Sequence, residues 1–211
     1  MSARRIHYRS GAPSLREDSA SPILVGHAAV FDQETVLWSS QSYEVREVIR
    51  PGAFTRVLAT NPDVVALFNH DDDHLLGRTA SGTVRIVEDS VGLACEIDLP
   101  DTVLGRDLLT LVRRADINGM SFAFMPARNG GERTTITTIN GRDLVSTEIL
   151  EVELLVDVSP VVHPAYPQTD VSARSRAEDL IQEHRRKARD LWVQARRQRL
   201  EALAVRVGKG R

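Results

Sequence analysis

Eight short segments rich in Val, Ile, Thr and Phe recur along the chain, and they constrain its fold more than any other feature. Gly, Pro, Asn and Asp residues separate them, and residues 43–48 and 94–99 alternate apolar with polar side chains. The segments are residues 23–31, 43–49, 64–68, 83–88, 93–99, 120–125, 133–139 and 148–162. Short strands at such intervals predict a β-sandwich or a β-barrel.

Two helical inserts are predicted between these strands. They are Pro51–Ala59 and Asp101–Arg114, and Asp101 is a suitable N-cap for the second. Residues 1–20 are polar and carry no clear pattern, so we predict a flexible N-terminal arm there. The expected domain therefore covers residues 21–171 and is mainly β with helical inserts.

The charge distribution sets the C-terminal segment apart. Residues 172–211 carry a net charge of +7, whereas residues 1–171 carry −9. Apolar residues recur at helical spacing through the tail, and no Gly or Pro interrupts residues 174–207, so we predict a basic amphipathic helix. This helix could pack on the body, dock on a partner protein or self-associate into a homo-oligomer. Acidic residues are interleaved and Trp192 is the sole aromatic of the tail, which disfavours nucleic-acid binding.

The composition excludes several classes of protein. Hydrophobic residues make up 42% and charged residues 27% of the sequence, with a formal net charge of −2, which is typical of a globular protein. Cys95 is the single cysteine, so an intrachain disulfide and a cysteine-based zinc site are excluded. No apolar run approaches the roughly 18–20 residues that span a bilayer, and the N-terminus lacks the apolar region of a secretory signal. We therefore expect no membrane association, and the single thiol fits a reducing compartment.

His70 is the first candidate for a reactive side chain, because it directly follows a strand predicted to be buried. A histidine in that position is well held, and histidine is the usual general base of enzymes. A plain turn histidine is one alternative, since the acidic residues after it predict a solvated turn. A metal site is another, with His70, Asp72 and His74 as ligands.

Ser121 is the second candidate, since its hydroxyl lies in an apolar strand that follows an Asn-Gly turn. Alternation places Ser121 on the face opposite Phe122 and Phe124. A hydroxyl among apolar groups must find a partner. Ser121 is therefore either bonded to backbone or a nucleophile, which requires a base and a third group that orients the base.

Carboxylates recur in the apolar segment 148–162, at Glu151, Glu153 and Asp157. Charges that protect an edge strand from aggregation would explain some of them. A carboxylate directed inward to orient a histidine would explain one.

Together these residues resemble the tailed-bacteriophage prohead (head maturation) serine protease family. The resemblance covers about residues 23–169, with the motifs in the same order. The motifs are Gly26–Phe31, Ile49–Phe54, Leu67–His70, Leu76–Thr79, Gly92–Leu93, Asn118–Phe124, Asp157–Val161 and Pro164–Tyr166. The resemblance implies a β-barrel core similar to the herpesvirus assemblins, with Ser121 as nucleophile, His70 as base and no metal or organic cofactor.

The third member of the triad is harder to place by resemblance. The family pattern has an acidic residue, two residues, a Leu, one residue, and a second acidic residue before Val-Ser. Glu151, Leu154 and Asp157 fit this pattern except for one extra residue before Asp157. Spacing favours Glu151 as the third member, ahead of Asp157 and Glu153. His163 is the last choice, and it replaces an aromatic residue common in the family.

The resemblance implies a serine endopeptidase that acts through an acyl-enzyme. Its expected substrates are the scaffolding protein, the major capsid protein and itself, inside the phage procapsid in the host cytoplasm. Backbone amides near Asn118–Ser121 or the Arg113-Arg114 pair are candidates for the oxyanion hole. The competing hypotheses are a non-catalytic structural or scaffolding protein of the procapsid and a metal-dependent hydrolase that uses His70 and His74.

Overall fold

The structure is a computed structural model that describes residues 5–7, 13–16, 22–163, 178–191 and 194. These residues form β1 (Arg5–His7), β2 (Ser14–Arg16), β3 (Ile23–Val30), β4 (Thr35–Ser39), β5 (Tyr43–Ile49), β6 (Val65–Phe68), β7 (Asp71–Arg78), β8 (Val84–Glu88), β9 (Gly92–Asp98), β10 (Gly119–Pro126), β11 (Glu132–Ile139), β12 (Arg142–Ile149) and β13 (Val152–Val161). The helices are α1 (Thr55–Ala59) and α2 (Val103–Arg113), with a 3₁₀ turn at Thr79–Ser81. Residues 178–191 are also helical. The fold is mainly β with helical inserts, as predicted.

The described strands form three sheets. The five-stranded sheet has the order β1-β10-β13-β6-β7, and the two four-stranded sheets have the orders β11-β12-β5-β4 and β2-β3-β9-β8. Most neighbours are antiparallel, but β13 runs parallel to β6, and β12 runs parallel to β5. Strand β13 therefore lies in the middle of the five-stranded sheet, with β10 on one side and the β6–β7 hairpin on the other.

Aromatic packing on one face of the five-stranded sheet holds β10 against the core. The rings of Phe122 and Phe124 on β10 stack with centroids 5.1 Å apart. Phe122 also meets Phe54 edge to face at 5.4 Å, which ties β10 to the segment that leads into α1. All three rings are almost fully buried. Since adjacent residues of a strand point to opposite faces, burying these rings on one face directs Ser121 to the other.

Several predicted elements differ in detail from the structure. The segment 148–162 was expected as one strand, but it is the end of β12 and the whole of β13, separated at residues 150–151. The expected acidic turn after His70 is the start of β7, whose first residues are exposed at the edge of the sheet. Carboxylates at an edge deter pairing with another chain, which explains why acidic residues occupy a strand.

Two local predictions are corrected as well. The N-cap of α2 is Thr102 rather than Asp101, because the Thr102 hydroxyl accepts a hydrogen bond from the Gly105 amide at 3.2 Å. Within the predicted arm 1–20, the described residues are strands: β1 pairs with β10, and β2 pairs with β3. The described parts of the N-terminus therefore extend two sheets.

The helix over residues 178–191 packs on the sheet β11-β12-β5-β4. Ile181 is 4% exposed and contacts Val45 and Val145 in a small apolar cluster. Asp143 on β12 is 1% exposed and accepts two hydrogen bonds on one carboxylate oxygen from Arg185, at 2.6 and 3.1 Å. This part of the predicted tail packs on the body, and the rest of residues 172–211 lies outside the described residues. No helix in the described ranges is long and apolar enough to cross a membrane.

Hydrogen bonds hold the pKa of the Asp143 carboxyl below its usual range. The bond from the Thr138 hydroxyl lowers the pKa more than the bond from Arg185 does. A carboxyl whose pKa is lowered by folding stabilises the folded state at pH above its unfolded pKa. That contribution is lost as the pH falls through the lowered folded pKa.

We predict that Arg185→Ala lowers the free energy of unfolding at neutral pH by about 1–3 kcal/mol, because a buried carboxylate loses a charged donor. Urea unfolding measures the difference, and Arg186→Ala, which removes an exposed arginine from the same helix, is the matched control. The difference between wild type and Arg185→Ala should shrink in acid, where Asp143 is protonated in both. Equal stability of wild type and Arg185→Ala at neutral pH would contradict the docking of this helix.

Candidate active site

The β6–β7 turn places His70 above the sheet. Phe68 pairs with Asp71, so the turn consists of Asn69 and His70, whose φ angles are +56° and +58°. Positive φ at both central residues is the geometry of a type I′ hairpin turn, and Asn is one of the few residues that favour it. A histidine in the left-handed region is uncommon, and such residues are frequent at functional sites.

Two hydrogen bonds clamp this turn to the end of β13. The Asn69 amide donates to the carbonyl of Pro160 at 3.0 Å. The side-chain oxygen of Asn69 accepts from the Val162 amide at 2.9 Å. Because both bonds join the turn to β13, the position of His70 is set relative to the strand that carries Asp157.

A β-bulge in β13 decides which side chains face His70. Ala123 on β10 pairs with Asp157, but the next residue, Phe124, pairs with Leu155, so Val156 is an extra residue in β13. Leu155 belongs to the core, and strict alternation would put Asp157 on that same face. The bulge reverses the alternation, so Asp157 points away from the core.

Ser121, His70 and Asp157 form a continuous hydrogen-bonded relay. His70 Nδ1 lies 2.6 Å from Asp157 Oδ1, and His70 Nε2 lies 2.7 Å from Ser121 Oγ. A carboxylate can only accept, so Nδ1 of the neutral imidazole carries the proton and Nε2 accepts from the Ser121 hydroxyl. Ser121 and Asp157 are 0% exposed, and the side chain of His70 is 5% exposed. Little water screens this relay, so its electrostatic interactions are strong.

The structure brings together Ser121 and His70, two of the three residues predicted for the site, and it places Asp157 rather than Glu151 beside His70. Glu151 lies in the short connection between β12 and β13, where its carboxylate accepts from Arg56 at 2.6 Å. Asp157, the second choice in the sequence, contacts His70 instead. Glu153 and His163 are exposed near the two ends of β13. Spacing favoured Glu151, because the motif has one extra residue before Asp157, and the bulge in β13 accommodates that residue.

The metal hypothesis does not fit the positions of its ligands. Both ring nitrogens of His70 are engaged by Ser121 and Asp157. His74 points elsewhere and pairs with Asp71 at 2.9 Å, with both side chains about half exposed. Among the residues that the structure describes, no three His, Cys, Asp or Glu side chains are close enough together to hold a metal ion.

The thiol of Cys95 is unsuited to replace Ser121 as a nucleophile. Cys95 on β9 is 1% exposed and belongs to the main core. Burial raises the pKa of its thiol to about 12. A thiol must ionise to attack, so this burial disfavours Cys95 as a nucleophile at neutral pH.

A serine hydroxyl on a histidine that is oriented by a buried aspartate is the arrangement of the serine hydrolases. The sequence profile of the caudovirus prohead serine protease family matches residues 12–184, so the chain belongs to that family and is a serine endopeptidase. Among solved structures, the capsid assembly protease gp21 of bacteriophage T4 is similar, with a TM-score of 0.45 and 10% identity over 76% of this chain and 98% of that chain. Comparison with curated proteins finds no match.

Replacing Asp157 and Glu151 separately should distinguish the two carboxylates. We predict that Asp157→Asn slows covalent labelling of the protein by a fluorophosphonate reporter about 10³- to 10⁴-fold, because the amide no longer holds the correct imidazole tautomer. Glu151→Gln should stay within about twofold of wild type, because it loses an exposed ion pair with Arg56. If Glu151→Gln slowed labelling more than Asp157→Asn does, Glu151 would be the residue that orients His70.

Proposed function

We propose that this protein is the head maturation endopeptidase of a tailed phage and that Ser121, His70 and Asp157 carry out its reaction. The observation that carries the proposal is the relay itself, with contacts of 2.7 and 2.6 Å on the two nitrogens of one imidazole. Membership of the prohead serine protease family supports a role in the maturation of the phage head. Capsid-related proteins are the expected class of substrate, with the major capsid protein, the scaffolding protein and the chain itself as particular candidates.

The reaction would begin with attack of Ser121 Oγ on the carbon of a scissile peptide carbonyl, as the hydroxyl proton passes to His70 Nε2. Asp157 then stabilises the imidazolium and keeps its ring in place. His70 gives the proton to the leaving amine, and an acyl-enzyme on Ser121 remains. Water activated by His70 hydrolyses this ester and restores the free hydroxyl. The donors that stabilise the oxyanion stay a prediction, with the amides near Asn118–Ser121 and the Arg113-Arg114 pair as candidates.

The location and accessory features follow from the same proposal. The family acts on the phage prohead, and we infer that this protein acts inside the procapsid while the procapsid is in the host cytoplasm. The assemblin-like barrel, the division into an arm, a protease domain and a tail, and the homo-oligomer stay predictions. Docking of the tail on a partner protein also stays a prediction. The packing of Ile181 favours a structural role for residues 178–191.

The structural or scaffolding hypothesis loses support from the same observations. A protein that had lost activity would be free to lose the hydrogen bonds between its reactive side chains. Here the nucleophile, the base and the orienting carboxylate are all present and in hydrogen-bond contact. The intact relay is expected of a working enzyme.

Co-expression with the phage's own major capsid protein tests this function. We expect wild type to shorten the capsid protein, itself or both, whereas Ser121→Ala and His70→Ala leave every mass intact because each breaks the coupled unit. Intact mass spectrometry of both proteins gives the answer. Circular dichroism of the two variants checks that they fold. A native spectrum with near-normal cleavage in either variant would overturn the assignment.

A further inference from the structure

A second serine, Ser159, lies next to the relay and has no place in the reaction described above. Ser159 is two residues after Asp157 on β13, and it pairs directly with Ser121 across the β10–β13 ladder. It is 0% exposed. Its Oγ donates to Asp157 Oδ1 at 2.8 Å.

The bond from Ser159 reaches the same carboxylate oxygen that contacts His70 Nδ1. A carboxylate oxygen has two lone pairs, so it accepts from both donors at once. Both bonds are charge-assisted, and such bonds are stronger than those between neutral groups. One donor lies in the β6–β7 turn and the other on β13, so together they fix the orientation of the carboxylate about its Cβ–Cγ bond.

The orientation of the Asp157 carboxylate determines whether His70 stays aligned. A terminal carboxylate torsion has broad preferences, and packing alone defines it poorly. Rotation of Asp157 would move Oδ1 away from Nδ1 and free the imidazole to turn. Since the base must stay aligned with Ser121 through each proton transfer, any donor that fixes the Asp157 carboxylate also aligns the base.

We propose that Ser159 is a positioning residue that acts on the reaction through Asp157 and His70 and does not contact the substrate. The inference rests on the proposed function, because it assigns Ser159 to the relay that performs that reaction. The alternative is a buried hydroxyl that satisfies its own hydrogen-bonding need and contributes to stability alone. A third reading makes Ser159 the nucleophile in place of Ser121.

The main experiment measures how Ser159→Ala reacts with a fluorophosphonate reporter over a range of reporter concentrations. We expect the maximum labelling rate to fall about 10- to 100-fold, the effect of one lost charge-assisted hydrogen bond. The half-saturating concentration should change little, because Ser159 does not contact the reporter. An unchanged maximum rate would overturn the proposal, and total loss of labelling equal to that of Ser121→Ala would favour Ser159 as nucleophile.

A double-mutant cycle with Asp157→Asn separates action through the relay from a general effect. If Ser159 acts through the Asp157 carboxylate, Ser159→Ala should change the labelling rate less than about twofold in the Asp157→Asn background. A similar loss in both backgrounds would mean that Ser159 acts by another route, and it would overturn the proposal. A purely structural role predicts no such dependence on Asp157.

Two further variants keep the test decisive. Thr147→Val removes another buried hydroxyl, which contacts the Thr134 hydroxyl at 3.0 Å. Both threonines belong to the sheet β11-β12-β5-β4, which does not contain the relay, so this variant controls for loss of stability without loss of the relay. If Ser159→Ala fails to fold, Ser159→Cys keeps the volume of the side chain and leaves a weaker donor. We then expect a partial fall in rate, and full activity of Ser159→Cys would overturn the proposal. Labelling that persists in Ser121→Ala would count against the proposed function instead.

Discussion

The pairing of β10 with β13 is the constraint on which the site depends. Ser121 comes from one of these strands and Asp157 from the other, and their positions follow from the register between them. The aromatic rings on β10 fix one strand against the core, and the bulge at Val156 resets the alternation of the other. Without the bulge, strict alternation would put Asp157 on the core face with Leu155, which would bury a charge in the core and remove it from His70.

His70 depends on the same pair of strands, although it belongs to neither. Its turn joins β6 to β7, and β6 pairs in parallel with β13 at Asp157 and Val158. Asn69 adds two hydrogen bonds to the end of β13, on either side of Val161. The left-handed conformation of His70 is therefore held by contacts with the strand that carries its carboxylate partner. These contacts offset the cost of a histidine, rather than the more usual glycine, at the second position of the turn.

Much of this organisation could be predicted from the sequence, because it depends on local patterns. The mainly β fold, both helical inserts and the residues Ser121 and His70 were expected from alternation, turn residues and motif order. The carboxylate that contacts His70 could not be identified in that way, because a bulge adds one residue without leaving a distinct local pattern. Period-two counting through residues 148–162 groups Glu151, Glu153 and Asp157 on one face, whereas Glu151 binds Arg56 outside the strand. The edge strand β7 was predicted as a turn, since its acidic residues have low strand propensity. Such residues occupy an edge strand because their charges deter pairing with another chain.

The proposed reaction requires that Ser121 is a nucleophile activated by His70. The most direct measurement is to react the folded protein with a fluorophosphonate, digest it and locate the adduct by tandem mass spectrometry. We expect one adduct, on Ser121, that forms in wild type and fails to form in folded His70→Ala. An adduct on Ser159 or on any other residue in place of Ser121, or labelling of Ser121 at an unchanged rate without His70, would contradict it.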